Sequence, residues 1–572
     1  MRETVNSIAE AFQTTASRRP DDVALRTPGD GVTITWREYG RRVRAIATGL
    51  ASLGVRRGDT VALMMTNRPE FHLVDAAAFH LGATPFSVYN TSSPEQIRFL
   101  FGSAEPKVVV CEEQFAAKVF GPHVVCVDGH PAGTTTLAEL ESASAPGFDF
   151  EATWRAVQPD DVLTLIYTSG TTGDPKGVQI THANVLAEIA GVNTVLRVGP
   201  GDRTLSFLPS AHIADRVGGH YLQAVCGTQV TTVADRHDVM AALLDTRPTN
   251  FGTVPQMWHN VRAGIEAAAA SRREEFQQAL EIGRRHVRAR QAGEVPPELD
   301  KEYQGVDEAV FAPLRALLGL DQARVVQSGA APISAELVEF FNAIGIPLSD
   351  IWGMSELTCV AALAPHGELR IGAVGKPLPG VEIRVADDGE LLVRGPIVMK
   401  GYLGRPDLTA EAIDPDGWLH TGDIGSIDED GYVRVLDRKK ELIINAHGKN
   451  MSPANIEKAV KDRSALIAQV VAIGDNRPYN VGLVVLDPDA AARRGLPADP
   501  ALLAAHPEVQ ALVADAVDAA NQTLSRVEQL KKFLILPTHW EPGSELLTHT
   551  MKLRRRPIAA RYAAEIESLY AR

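Results

Sequence analysis

Alternation is the constraint that leaves this chain the fewest folds. Trp36 to Gly54 reads WREYGRRVRAIATGLASLG and places Tyr39, Val43, Ile46, Leu50 and Leu53 at helical spacing before a terminal glycine. GDTVALMM (Gly58 to Met65) follows as a short buried strand, and FHLVDAAAFHLGA as the next helix. KVVVC, HVVCV and VLTLIYT repeat the strand pattern further on. Apolar strands of this kind between helices predict an α/β fold: a large N-terminal domain of mostly parallel sheets.

A chain of 572 residues exceeds one ordinary core, so at least two domains are expected. From Val254 to Leu318 the pattern turns helical, and IEAAAASRREEFQQALEIGRRHVRARQAG is rich in Ala, Arg and Glu. Its heptads are not sustained, so an inserted surface helical segment over 263–318 is favoured above a coiled-coil arm. From about Gly380 to Val435 the chain becomes β-rich, with DGE and DEDG as hairpin turns. Beyond DRKKE, ANIEKAV reads as a helix and AQVVAI and YNVGLVVL as strands. The predicted organisation is an N-terminal domain over 1–437, with a β-rich subdomain over 380–436, and a small α+β C-terminal domain over 438–572.

Several classes of function fall away. The 71 acidic residues outnumber 57 basic ones, a formal net charge of −14, which argues against general nucleic-acid binding. Cys111, Cys126, Cys226 and Cys359 are scattered, with neither zinc-like spacing nor a disulfide framework. The start, MRETVNSIAEAFQTTASRRPDD, has no hydrophobic signal core, and no apolar run approaches the roughly 18 residues of a spanning helix. A cytoplasmic protein is expected, with peripheral contact at the inner membrane surface left open.

The chemistry concentrates in YTSGTTGDPKG, Tyr167 to Gly177. Its glycines let successive backbone N–H groups converge as a nest for phosphate oxygens. Thr168, Ser169, Thr171 and Thr172 add hydroxyls around Gly170 and Gly173, and Lys176 adds a positive charge. Taken alone, such a run is more often a plain surface loop. A Walker-type P-loop fails on spacing, because Pro175 and Gly177 stand where glycine and Ser/Thr belong.

Here the sequence resembles the adenylate-forming superfamily of acyl-CoA synthetases, firefly-type luciferases and peptide-synthetase adenylation domains. Further motifs occur in the family's order across nearly the whole chain. LPSAHIADR (Leu208 to Arg216) resembles a stretch of long-chain fatty acyl-CoA synthetases, which implies that His212 lies beside the substrate carboxylate. QSGAAPIS supplies Gly329, Ala330, Ala331 and Pro332, which the resemblance places at the adenine. DIWGMSE (Asp350, Trp352, Gly353, Met354, Ser355, Glu356) is similar to the aromatic-Gly-x-Thr-Glu motif, with Trp352 for the usual tyrosine and Ser355 for threonine. Glu356 and Thr168 are then the implied Mg²⁺ ligands, hard oxygens for a hard cation. In WLHTGDIG, Asp423 matches the carboxylate that binds the ribose hydroxyls. DRKKE supplies Arg438 at the ribose or phosphate and Lys440 at the hinge of a mobile C-terminal domain. LLTHTMKLRRR makes Lys552 the implied catalytic lysine, with His549 in place of the usual proline. Its basic run reads as a solvated face or as a landing place for coenzyme A phosphates.

The resemblance implies ATP-dependent activation of a medium- to long-chain fatty acid through an acyl-adenylate, with ATP, Mg²⁺ and coenzyme A as partners. The nearest rival is a fatty acyl-AMP ligase that passes its acyl group to a carrier protein. An amino-acid adenylation domain fits less well, because His212 occupies a fatty-type motif. A non-catalytic relative is disfavoured by the joint presence of Glu356, Asp423, Arg438 and Lys552.

Overall fold

The computed structural model describes residues 5–168, 175–365, 367–445, 449–548 and 551–571. The helix Trp36–Ser52 starts where the Thr35 side chain accepts a hydrogen bond from the Glu38 N–H, and it buries Tyr39, Val43, Ile46 and Leu50. Leu53 falls at its C-terminal cap.

An eight-stranded sheet organises the first half. Its order is Gly401–Tyr402, Lys176–Thr181, Val162–Thr168, Thr84–Ser87, Thr60–Met64, Val108–Cys111, His123–Cys126 and Thr135–Thr136. Pairing is parallel from Val162–Thr168 to Thr135–Thr136. Every residue of Val108–Cys111 is buried, as a strand covered on both faces requires. The glycine-threonine run joins two antiparallel strands, Val162–Thr168 and Lys176–Thr181, with Thr168 opposite Lys176.

A second sheet lays Asn250–Thr253, Val325–Ser328 and Leu348–Trp352 in parallel. The segments carrying Gly329 and Gly353 therefore leave neighbouring strands at the same end, where open parallel sheets bind ligands. The β-rich part forms an antiparallel sheet of Glu382–Val385, Glu390–Arg394, Leu419–Ile427 and Val433–Arg438. Its two predicted turns carry Gly389 (φ 85°) and Gly431 (φ 83°), left-handed conformations that favour glycine.

The helical insert differs from the surface segment expected over 263–318. Helical structure begins with Pro255–Ala268 and continues through Arg273–Gln291, Pro297–Val306, Asp307–Phe311 and Ala312–Leu317. Phe276, Leu280 and Val287 are buried in one core with Leu337, Phe340 and Phe341 of the helix Ala335–Ala343. A β-carbon at Gly283 would collide with the Ala343 carbonyl, so the two helices pack backbone to backbone. Its charged face dominates the composition, while this apolar stripe decides its place.

Beyond Arg438, the strands Ile467–Ile473, Asn480–Leu486 and Leu530–Ile535 form a three-stranded sheet. The helices Pro453–Lys461 and Pro507–Asn521 bury Ile456, Val460 and Val513 in its core. The fold is thus α/β, with a large N-terminal domain and a small C-terminal one. No helix among the described residues is long and apolar enough to cross a membrane.

Candidate active site

Sheet order connects the first group of site residues. Thr168 lies opposite Lys176, whose ammonium sits 4.7 Å from the centroid of the Tyr402 ring. The Tyr402 hydroxyl donates to Glu356 Oε1 at 2.9 Å. Burial and then the Glu356 charge push that hydroxyl's pKa upward, so it stays a donor at neutral pH. Ser169, Gly170, Thr171, Thr172 and Gly173 lie outside the described residues.

Glu356 is buried within the short turn Ser355–Leu357. The Met399 N–H donates to its carbonyl at 2.9 Å, and the Thr358 hydroxyl donates to the Ile397 carbonyl at 2.6 Å. Gly353 lets the chain fold this tightly, since a β-carbon there would strike the Cys359 carbonyl. Met354 precedes the turn in an extended conformation and Ser355 is buried within it.

The second group meets at Asp423. Trp352 Nε1–H donates to Asp423 Oδ2 at 2.8 Å, and Arg438 Nε pairs with Oδ1 at 2.7 Å. Asp423 and Arg438 face each other across antiparallel strands, which explains the ion pair. Burial raises the Asp423 pKa, while Arg438, Trp352 and Lys552 act to lower it. Each carboxylate oxygen has a second acceptor site, so the pair leaves capacity for two hydroxyl donors.

The turn Gly329, Ala330, Ala331, Pro332 follows the strand Val325–Ser328. A β-carbon at Gly329 would come within 2.9 Å of Ile351, and Ala330 holds φ 68°. A left-handed alanine costs about 1–2 kcal/mol, strain that the neighbouring strands must sustain. Asp350 lies beside Ser328 in the sheet; burial pushes its pKa up to about 8, against the Ile351 N–H and Lys458.

Lys552 reaches this region from the C-terminal domain. Its backbone N–H donates to Thr548 Oγ1 and its carbonyl accepts from the Thr548 N–H, both at 2.9 Å, beside the Leu547–Leu553 bridge. His549 lies outside the described residues. Desolvation and the nearby Arg438 lower the Lys552 pKa, while Asp423, Glu356 and Glu441 favour its charged form. Burial first, and then the Lys552 charge, pull His212 down to about 4, so its ring is neutral at pH 7. His212 Nδ1 accepts from the Ala214 N–H at 3.3 Å, which leaves Nε2 as the ring's donor. Lys440 sits in the turn directly after the strand Val433–Arg438.

Residues far apart in the chain thus share one electrostatic field. Sequence reasoning missed Tyr402, whose GYLGRPD surroundings carry no catalytic pattern, and Glu441, hidden in the charged DRKKE run. Of the basic run, Arg555 is already committed to Glu441 at 3.0 Å and Glu457 at 2.5 Å, so it braces the C-terminal domain. No cluster of three or more His, Cys, Asp or Glu suited to a metal occurs among the described residues. Thr168 and Glu356 still suit Mg²⁺, which commonly takes one or two protein oxygens and completes its shell with phosphates and water.

Two family models match the chain: AMP-binding enzyme over residues 12–403 and AMP-binding enzyme C-terminal domain over residues 440–572. The chain belongs to the AMP-binding enzyme family. Among its relatives is the putative fatty-acid–CoA ligase fadD11 of Mycobacterium tuberculosis (strain ATCC 25618 / H37Rv), 55% identical over 450 residues, covering 77% of this chain and 79% of the relative. The long-chain-fatty-acid–CoA ligase FadD15 of the same strain is 36% identical over 578 residues, covering 96% of this chain and 95% of its own. Among solved structures, the anthranilate CoA ligase AuaEII in complex with anthranoyl-AMP shares the fold, with a TM-score of 0.75 at 19% identity over 98% of both chains.

Proposed function

We propose that this enzyme activates a medium- to long-chain fatty acid in two steps and delivers it to coenzyme A. In the first, a carboxylate oxygen attacks the α-phosphorus of ATP, and the bond to pyrophosphate breaks. In the second, the coenzyme A sulfur attacks the acyl carbonyl and AMP leaves, with the thiol proton passing to solvent. The product is the acyl-CoA thioester.

The observation that carries this reading is the buried Asp423, held by Trp352 Nε1 at 2.8 Å and Arg438 Nε at 2.7 Å, with Lys552 of a separate domain acting on the same carboxylate. Adenylation brings two anions together, so positioned cations and donors should supply most of the catalysis. Lys552 is assigned to the developing charge at the α-phosphate. Lys176 and the loop Ser169, Gly170, Thr171, Thr172, Gly173 are assigned to the phosphates. Gly329, Ala330, Ala331 and Pro332, with Asp350, Trp352, Gly353 and Met354, are assigned to the adenine side, the Ser355 hydroxyl to the phosphates, Asp423 to the ribose and Arg438 to the ribose or phosphate. Mg²⁺ held by Thr168 and Glu356 would neutralise phosphate charge when bound. His212, a neutral donor at Nε2, is assigned to the fatty carboxylate. Lys440 is assigned to the hinge about which the C-terminal domain turns between steps.

The fatty acid assignment is supported by the names of the relatives together with the LPSAHIADR motif. A coenzyme A-dependent AMP-release assay over fatty acids of graded length tests it. Turnover with saturated acids of medium or long chain is expected. Release that requires a phosphopantetheinyl carrier in place of coenzyme A would reassign the acceptor, and silence at every length would overturn the reading.

A further inference from the structure

The C-terminal domain touches the N-terminal domain at a second place, away from Lys552. The helix Pro453–Lys461 ends at Asp462 and Arg463. Facing them are Ser334 and Glu336, immediately after the Gly329–Pro332 turn, and His259 and Arg262 of the helix Pro255–Ala268. Asp462 Oδ1 lies 3.6 Å from His259 Nε2, and Arg463 Nη1 lies 3.9 Å from Glu336 Oε2. Arg262 holds the other Glu336 oxygen at 3.1 Å.

Asp462 is committed to this interface. Burial pushes its carboxyl up to about 6; Lys458, a hydrogen bond from the Ser334 hydroxyl and Lys461 act against that, while Glu336 adds to it. Its Oδ1 is buried without a hydrogen-bond partner. Burial and then Lys461, Arg262 and Lys458 pull His259 down to about 4, so the imidazole meets Asp462 as a neutral ring. Lys458 also acts on Asp350, on the strand that leads into the Trp352 turn.

The same segment, Gly329 to Glu336, therefore lines the assigned adenine side with its first residues and meets the C-terminal domain with its last. Ser334 and Glu336 are the link: Ser334 caps the helix Ala335–Ala343 by accepting from the Leu337 N–H at 3.0 Å, and Glu336, in the first turn of that helix, meets Arg463. A domain that turned away to admit a thiol would have to give up these contacts while its own fold stayed intact. Nothing in the Lys552 loop depends on them covalently, so their effect on chemistry is purely orientational.

We infer that Asp462 and Arg463 form a docking latch on His259 and on Glu336 at the far end of the nucleotide-binding turn, and that it holds the C-terminal domain in the orientation that presents Lys552. These are positioning residues for adenylation and are dispensable for thioester formation. The inference rests on the two-step reading above and assigns the interface that selects the first step.

Measuring the half-reactions separately tests it. Wild-type pyrophosphate exchange with a fatty acid comes first; its absence would remove the two-step reading itself and with it the latch. Given exchange, Asp462→Ala and Arg463→Ala are compared with wild type in exchange and in thioester formation from supplied acyl-AMP. At least a tenfold loss of exchange for Asp462→Ala, with thioester formation within twofold, supports the latch. Equal loss in both, or no loss in either, overturns it.

A second arm covers a variant that folds poorly. In the Glu336→Cys/Arg463→Cys pair, a short photocleavable bis-maleimide cross-linker should preserve exchange and block thioester formation until it is cleaved. The single-cysteine variants treated with the same reagent serve as controls. A cross-linked protein that still forms thioester at the uncross-linked rate would refute the latch.

Discussion

Replacing Trp352 with phenylalanine removes one hydrogen bond and keeps an aromatic ring in place. The indole N–H donates to Asp423 Oδ2 at 2.8 Å, and Asp423 is only 5% exposed. A hydrogen bond to a charged group is worth about 1.5–3 kcal/mol net. The bond is already made without nucleotide, so its loss reaches AMP binding through the misorientation of Asp423. At about 1.4 kcal/mol per tenfold, the weakening should be at most about 10- to 150-fold. Arg438 would still hold Oδ1, so the carboxylate should pivot about that contact and present its oxygens poorly to the ribose. Because the indole N–H also helps lower the Asp423 pKa, Trp352→Phe should raise it further. The affinity of the variant should then fall off at a higher pH than that of wild type as the medium is acidified. Calorimetric titration with AMP between pH 5 and 8 reads both effects. An AMP affinity within twofold of wild type, with an unmoved pH profile, would refute the assignment of Asp423 and its orientation by Trp352.

Lys552→Ala should slow adenylation by roughly 100- to 1000-fold, the scale of removing one positioned transition-state donor. Its melting temperature should stay within about 1 °C of wild type, because the ammonium makes no ion pair among the described residues, and thioester formation from supplied acyl-AMP should persist. Lys440→Pro should impair thioester formation more than adenylation, since proline restricts φ at the assigned hinge; equal loss in both half-reactions would defeat that assignment. His80 and His182 are fully buried, and desolvation holds them at about 4 and about 3, below the ordinary 6.5. As pH falls below 6.5 the unfolded chain takes up these protons first, so stability is complete above that pH and declines towards pH 4. At pH 5 each should cost roughly 2 kcal/mol, an upper scale that urea midpoints at pH 7 and 5 would check.

Much of the fold was legible because its signals are local. The helix over Trp36–Ser52 follows from the spacing of Tyr39, Val43, Ile46 and Leu50, and the hairpins from Gly389 and Gly431. The insert was harder to read. Arg273–Gln291 looks charged in composition, and its stripe of Phe276, Leu280 and Val287 becomes a core only against the helix Ala335–Ala343. The site motifs were recognisable as short strings, but their contacts were not. Nothing near Glu356 in the chain announces Tyr402, and nothing near Trp352 announces that its indole bonds Asp423.

By itself, the amino-acid sequence determined the alternating elements, the order of the motifs and the identities of the charged groups. These depend on side-chain periodicity and turn chemistry within a few residues. Tertiary structure alone decided that Lys176, Tyr402 and Glu356 form one connected group, and that Asp423 is shared by Trp352 and Arg438. It also decided that Lys552 enters the same field from another domain. The reason is physical: sheet order and domain docking set the distances between remote segments, and no local spacing encodes those distances.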